Sequence, residues 1–190
     1  MFGRFTTFLA AATAATTIED GLYGAAVPAD AVFVRRMDDG DGPLQVLGRQ
    51  FLAHELPHTV YAAISASDLT GADQGRYYSV IARPDGTAHI VAEPPRADRS
   101  RVHLILLNMG TGTARMTVAD DGAGVINDTA PMAANARAVN PVAVTLRVET
   151  AHGAQTFPVT LRRGQNVTFV VTESGISLVP SAFGPVIAGE

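Results

Sequence analysis

The chain has 190 residues, of which 47% are hydrophobic and 17% charged, with a formal net charge of −4. That is room for one domain of ordinary size or two small ones, and it excludes a disordered, highly solvated chain. All fourteen basic residues are Arg and form no stripe that could track a phosphate backbone, which excludes nucleic-acid binding, while zero Cys excludes disulfides, thiolate zinc sites and a Cys nucleophile.

At the N-terminus, Arg4 precedes a weakly apolar run from Phe5 to Ala15, and Ala12-Thr13-Ala14 fits an A-x-A cleavage pattern. The pattern predicts a secretory signal peptide and leader over residues 1–18, hence export. The run is shorter than the roughly 20 apolar residues that a membrane-spanning helix needs.

The body then reads as strands. Short apolar alternations occur at Ala31–Arg36, Thr59–Ser65, Arg76–Ala82 and Thr87–Ala92. Between the last two, Arg83-Pro84-Asp85-Gly86 has turn chemistry, with φ fixed by Pro, an Asp that bonds its own backbone, and a Gly that accepts positive φ. In the second half, Val102, Leu104 and Leu106 share one side of a strand. Val142, Val144, Leu146 and Val148 alternate with Ala143, Thr145, Arg147 and Glu149, and Val167, Phe169 and Val171 alternate with Thr168, Val170 and Thr172. His152-Gly153 and Arg163-Gly164 mark turns. Ala130 to Ala138, short and Ala-rich, is expected to be a loop containing one helical turn.

Glu93-Pro94-Pro95-Arg96-Ala97-Asp98-Arg99 is the boundary, because two prolines interrupt a ladder and charges replace apolar residues. The expected fold is all-β, with two small Ig-like β-sandwich domains in tandem after the signal peptide, over residues 19–95 and 96–190. One continuous larger sandwich is the alternative.

Several motifs have a chemical reading. His54-Glu55-Leu56-Pro57-His58 matches the H-E-x-x-H zinc-peptidase pattern, which needs both His on one helical face. Pro57 opposes that helix at a cost of about 3 kcal/mol, and the flanks read as strands, so the segment is a corner. Asp38-Asp39-Gly40-Asp41-Gly42 lacks the closing Glu of a calcium loop and reads as a polar turn, as does Asp120-Asp121-Gly122. No G-x-S-x-G elbow or phosphate-cradling loop occurs; Gly110-Thr111-Gly112 has no Lys or helix after it. No catalytic residue, cofactor or metal ligand is assigned. Tyr77 and Tyr78 are neighbours on a strand and point to opposite faces, so one of them could stack on a sugar.

Gly21-Leu22-Tyr23-Gly24, Pro28, Phe33-Val34-Arg35, Leu56-Pro57 before Tyr61, Arg76-Tyr77-Tyr78-Ser79-Val80, Pro84-Asp85-Gly86, Glu93-Pro94-Pro95, Asn140-Pro141-Val142 and Leu161-Arg162-Arg163-Gly164 follow one another in order. In order and spacing they resemble the periplasmic alginate O-acetyltransferase accessory protein family, AlgF. The resemblance implies a non-catalytic periplasmic adaptor for O-acetylation of an exopolysaccharide such as alginate. Its implied partners are a membrane-bound O-acyltransferase and SGNH-like periplasmic acetyltransferases. Exposed sheet edges, the linker arginines Arg96, Arg99 and Arg101, and Tyr77 and Tyr78 are the candidate partner or glycan contacts. A carbohydrate-binding module that presents the polysaccharide is the alternative. An enzyme, working through His54 and His58 or through an acetylated Ser, is a third reading.

Overall fold

Alternation decides which side of each strand meets which layer. The computed structural model describes residues 26–96, 98 and 100–187. The signal peptide and leader expected over residues 1–18 lie outside them.

The first half forms β1 (Ala31–Arg36), β2 (Leu44–Val46), β3 (Arg49–Phe51), β4 (Val60–Ser65), β5 (Tyr77–Ala82) and β6 (Ala88–Ala92). The second half forms β7 (Val102–Asn108), β8 (Ala114–Val118), β9 (Gly124–Thr129), β10 (Ala133–Val139) and β11 (Ala143–Thr150). It continues with β12 (Gly153–Thr160), β13 (Asn166–Thr172), β14 (Gly175–Pro180) and β15 (Ala182–Ile187). A single 3-10 turn, Ala66–Asp68, is the only helical element among the described residues.

These strands form a five-stranded sheet of order β15-β4-β1-β5-β6, two four-stranded sheets of order β10-β7-β13-β14 and β12-β11-β8-β9, and the hairpin β2-β3. The fold is therefore all-β, with two domain-like groups of sheets. In the first sheet, Val32 and Val34 of β1, Ala62 and Ile64 of β4, and Tyr78 and Val80 of β5 face the hairpin, closing a core with Leu44, Val46, Phe51, Leu56 and Leu69. In the second group, Val102, Leu104 and Leu106 of β7 and Phe169 and Val171 of β13 pack on Met116, Leu146 and Val148 of the facing sheet.

The two groups also meet. All seven residues of β7 are buried, because its other face contributes Leu107 to a third cluster with Val91, Met109, Val170 and Val179. Burial on both faces is why the run Val102-His-Leu-Ile-Leu-Leu107 is almost continuously apolar. The gap between β6 and β7 falls at the Pro-Pro linker, but the last strand returns across it. β15 pairs in parallel with β4 in the first sheet.

One expectation is corrected. The segment from Ala130 to Ala138 is not a loop with a helical turn but contains β10, which pairs antiparallel with β7 from Ala133 opposite Asn108 to Val139 opposite Val102. Ala has a weak preference for strands, but the ladder and the fit of small side chains beside buried β7 override it. The H-E-x-x-H segment lies in turns between β3 and β4, as Pro57 dictates.

Close packing makes one testable demand at β15. A Cβ built on Gly184 would lie 2.6 Å from Val60 Cγ1, closer than real Cβ atoms come to a neighbour. Val60 is β-branched and stiff at χ1, so it yields poorly. Gly184→Ala is expected to lower stability by about 1 to 3 kcal/mol, as overpacking does, read as a lower urea midpoint with an unchanged slope.

Candidate functional site

The second face of the first sheet carries a cluster that periodicity alone does not announce. β1 and β5 run in parallel with Phe33 opposite Tyr77 and Arg35 opposite Ser79, so these four side chains share the face away from the hairpin. Tyr61 comes from β4, Phe183 from β15, Glu93 from the residue after β6, and Arg96 from the linker. Thr168 of β13 and His103 of β7 approach from the facing sheet.

Arg35 and Glu93 are both buried, and the Arg35 Nη2 to Glu93 Oε1 distance is 3.0 Å. Arg35 Nε donates to Ser79 Oγ at 2.8 Å, and Nη2 also donates to Thr168 Oγ1 at 3.2 Å, tying the first sheet to the second group. Ser79 Oγ donates to Glu93 Oε1 at 2.7 Å. The Tyr61 hydroxyl donates to Glu93 and accepts from Arg96 Nη2 at 2.6 Å, and Arg96 Nη2 also donates to Glu93 Oε2. The rings complete the enclosure. Arg96 Cζ stands 3.9 Å from the Tyr77 centroid, and Tyr61 lies beneath Arg35 at 4.5 Å and Arg96 at 5.1 Å. Phe33 stacks on Tyr77 at 4.8 Å, and Phe183 stacks on Tyr61 at 5.6 Å.

The electrostatics follow from this geometry. Burial pushes the Glu93 carboxyl up, but the Arg35 and Arg96 guanidiniums outweigh it and hold the group below its ordinary value. Burial, reinforced by Glu93, raises the Tyr61 hydroxyl, so it stays protonated and acts as a donor. Burial and the Arg96 charge lower His103, which favours the neutral imidazole. An ionised acid locked between two guanidiniums and a raised phenol have no proton to exchange near neutral pH. The cluster acts as a clasp between layers, with two cations on one anion.

A pocket of about 330 Å³ opens beside this clasp, lined by Tyr77, Arg96, His103, Gly164, Asn166 and Phe183. The Arg96 side chain is only 3% exposed, and its Nε and Nη1 have no hydrogen-bond partner.

A second feature lies in the second group of sheets. β12 and β14 are edge strands of the two facing sheets. Cavities of about 280 and 420 Å³ lie between them, the first against the β12 and β14 starts at Gly153 and Gly175, the second against their ends at Thr160 and Pro180. Most of β12 is exposed, and Leu178 of β14 is 42% exposed toward the second cavity. The sandwich is thus open along one side, with unpaired backbone on two strands and apolar side chains between them.

The residues singled out from sequence are distributed unevenly. Tyr77 and Arg96 meet in the clasp, whereas Tyr78 is buried in the first core. Arg101 lies apart and donates from Nη2 to the Ala138 carbonyl at 3.4 Å. Arg99 lies outside the described residues. His54 is exposed in its turn, and His58 Nδ1 sits 3.1 Å from Asp39 Oδ1. Among the described residues, no three His, Asp or Glu side chains gather at a spacing that could hold a metal. Asp38 accepts from Arg36, from the Gly40 amide and from the Ala82 amide, so its carboxylate is committed to its own turn. Arg35, Tyr61, Ser79, Glu93 and Thr168 were missed as a group. The available signal was polar: a charged residue inside an apolar strand at Arg35, and an acid before two prolines at Glu93.

The family described as "Alginate O-acetyl transferase AlgF" matches residues 6–168. The chain is 30% identical to the alginate biosynthesis protein AlgF of Pseudomonas aeruginosa, over 90% of this chain and 86% of that one. It is 25% identical to the protein of the same name from Pseudomonas syringae pv. tomato, over 90% and 83%. Among solved structures, the C-terminal domain of AlgF from P. aeruginosa matches with 26% identity and a TM-score of 0.37, over 42% of this chain and 94% of that one. The N-terminal domain matches with 22% identity and a TM-score of 0.35, over 45% and 99%.

Proposed function

This chain belongs to the AlgF family of alginate biosynthesis and O-acetylation proteins, and from that membership we propose that it is a non-catalytic adaptor. It works in the periplasm after export. It holds a membrane-bound O-acyltransferase and SGNH-like periplasmic acetyltransferases together during O-acetylation of an exopolysaccharide such as alginate. Its two domains divide at the Pro94-Pro95 linker, with β15 of the second half added to the sheet of the first.

The observation that carries this reading is the open side of the second sandwich. Two neighbouring edge strands, β12 and β14, leave backbone donors and acceptors unpaired beside an apolar groove. Such an edge accepts a partner's strand, with main-chain bonds giving affinity and side-chain pockets giving specificity. The buried clasp keeps the linker from flexing freely, so partners bound on different faces would hold a fixed spacing.

The test is capture. The full-length exported protein is immobilised and challenged with the periplasmic acetyltransferases of its own organism. Leu178→Arg, which places a charge at an exposed groove position, is expected to weaken capture at least tenfold and to leave the melting temperature unchanged. Failure of the wild-type protein to capture any acetylation enzyme would refute the adaptor reading, as would acetyl transfer by this chain alone.

A second reading, a carbohydrate-binding module, draws on one observation. Phe183 is 54% exposed at the pocket over Arg96, where an aromatic face and a cation meet. Titration with oligouronates tests it.

A further inference from the structure

We infer that the free edge of β14 is a strand-addition site, and that its occupant is an antiparallel segment of a protein partner with apolar side chains at alternate positions and a basic residue at its C-terminal end. The inference rests on the adaptor reading and adds to it which edge binds and the chemistry of what binds there.

A bare strand edge is a template for pairing with another chain, and folds blunt such edges with charge, Pro, bulges or cover. The other outer strands of the three large sheets are blunted. β15 has Pro185 and a slipped ladder, and β12 has Pro158 inside it. β9 carries Asp128 and slips twice against β8. β10 carries Arg137, whose Nη1 donates to the Gly124 carbonyl of β9 at 2.9 Å, and β6 is mostly half-buried. β14 differs from all of these. Gly175-Ile-Ser-Leu-Val179 has no charge and no Pro, and its ladder with β13 runs without a slip. Among the described residues β14 pairs with β13 alone, and Gly175, Ser177, Leu178 and Pro180 are exposed.

Period two sets what an added strand must carry. Ile176 packs on the core of the second sandwich and Leu178 lines the cavity of about 420 Å³, whereas Val179 belongs to the third cluster on the opposite face. A strand laid beside β14 would place every second side chain over the open seam, facing the half-buried Phe157 and Val159 of β12. No charged residue lines that cavity, so the side chains that enter it must be apolar. The cavity of about 280 Å³ at the other end of the seam has a different character. Glu173 and His152 line it, and Glu173 is exposed and, among the described residues, in no ion pair. A basic side chain there meets an acid with no other partner, while an acidic one is repelled. Antiparallel pairing is the more stable per residue, and it brings the partner's C-terminal end beside Gly175 and Glu173. At about 3.4 Å per residue, a segment as long as β14 reaches from one cavity to the other.

The experiment follows amide exchange along β14 by NMR in the full-length exported protein. The probe is acetyl-Val-Thr-Val-Thr-Val-Thr-Lys-amide; its counterparts end in Glu instead of Lys, or carry the same residues in reverse order. The Lys-ended peptide is expected to slow exchange of the β14 amides that do not bond to β13 by about tenfold or more, and to saturate. The Glu-ended and reversed peptides should bind about threefold weaker or worse, the scale of one exposed charge pair. Glu173→Lys, at an exposed turn residue, should reverse the preference between Lys and Glu ends. Successive N–H groups of a strand point to opposite edges, so N-methylating the three Val or the three Thr residues of the probe should abolish binding in one case only. Equal binding by the two methylated peptides, equal binding by the Lys-ended peptide and either counterpart, or no protection by any probe overturns the inference. Protection of β14 in the free protein that grows with protein concentration also overturns it and makes a second copy of this chain the occupant. A protein that captures the acetyltransferases while no peptide protects β14 loses this inference and keeps the adaptor reading. One that binds the Lys-ended peptide but captures no enzyme loses the adaptor reading.

Discussion

Replacing Glu93 with Gln is expected to cost about 3 to 5 kcal/mol of folding stability, the scale for removing one partner of a buried ion pair. The substitution hardly changes volume, so packing is preserved and the loss is electrostatic. Arg35 and Arg96 would remain buried with no anion between them, and Ser79 and Tyr61 would lose a charged acceptor. The pH dependence follows from the carboxyl being held below its ordinary value by the two guanidiniums. A depressed pKa contributes stability that is fully present above the unfolded value, about 4.3, and is lost as pH falls through the folded value. The wild-type advantage over Glu93→Gln should therefore be constant near neutrality and shrink only in acid, below about pH 4. Urea midpoints of both proteins between neutral pH and the acid limb check this. A difference under about 1 kcal/mol at neutral pH would show that the cluster is no more than a surface-grade pair.

Much of the first sheet was readable because its signals are local. The even-numbered apolar residues of β1, β4 and β5 define one buried face, and Pro84-Asp85-Gly86 turns β5 into β6. The clasp was readable only as separate fragments. Phe33-Val34-Arg35, Tyr61, Tyr77-Tyr78-Ser79 and Glu93-Pro94-Pro95 stand out along the chain as family motifs, and in space they are one site. Nothing in their spacing says so, because Arg35 and Ser79 become neighbours only through the parallel pairing of β1 with β5. That pairing depends on a crossover whose length and composition do not encode its partner. The Ala130–Ala138 segment failed for a related reason. Its strand character comes from β7, not from its own residues.

The last strand is the limiting case of structure that local pattern does not contain, and its removal should have the second large effect. Ala182-Phe-Gly-Pro-Val-Ile187 holds both Gly and Pro, and its ladder with β4 slips between Phe183 and Val186. Pro185 is tolerated because β15 is the outermost strand of its sheet. Its anchors are Ile187, buried in the first core, and Phe183, packed on Phe33, Tyr61 and Tyr77. Burying an Ile-sized side chain is worth about 1.5 to 3 kcal/mol and an aromatic contact about 0.5 to 1.5, set against the entropy of ordering six residues. Those contacts sum to about 2 to 4.5 kcal/mol before that entropy is subtracted, so a chain ending at Ser181 is expected to lose less than this, read as a lower melting temperature. It should also associate, because β4 (Val-Tyr-Ala-Ala-Ile-Ser) would become an apolar edge with no charge or Pro to blunt it. A peptide of residues 182–190 added in trans should restore the melting temperature in a concentration-dependent way, as any ligand of the folded state does. If the truncated chain stays monomeric and melts like the full one, β15 is an ornament on the sheet. If the peptide rescues it, the second half of the chain supplies a structural strand to the first sheet across the linker.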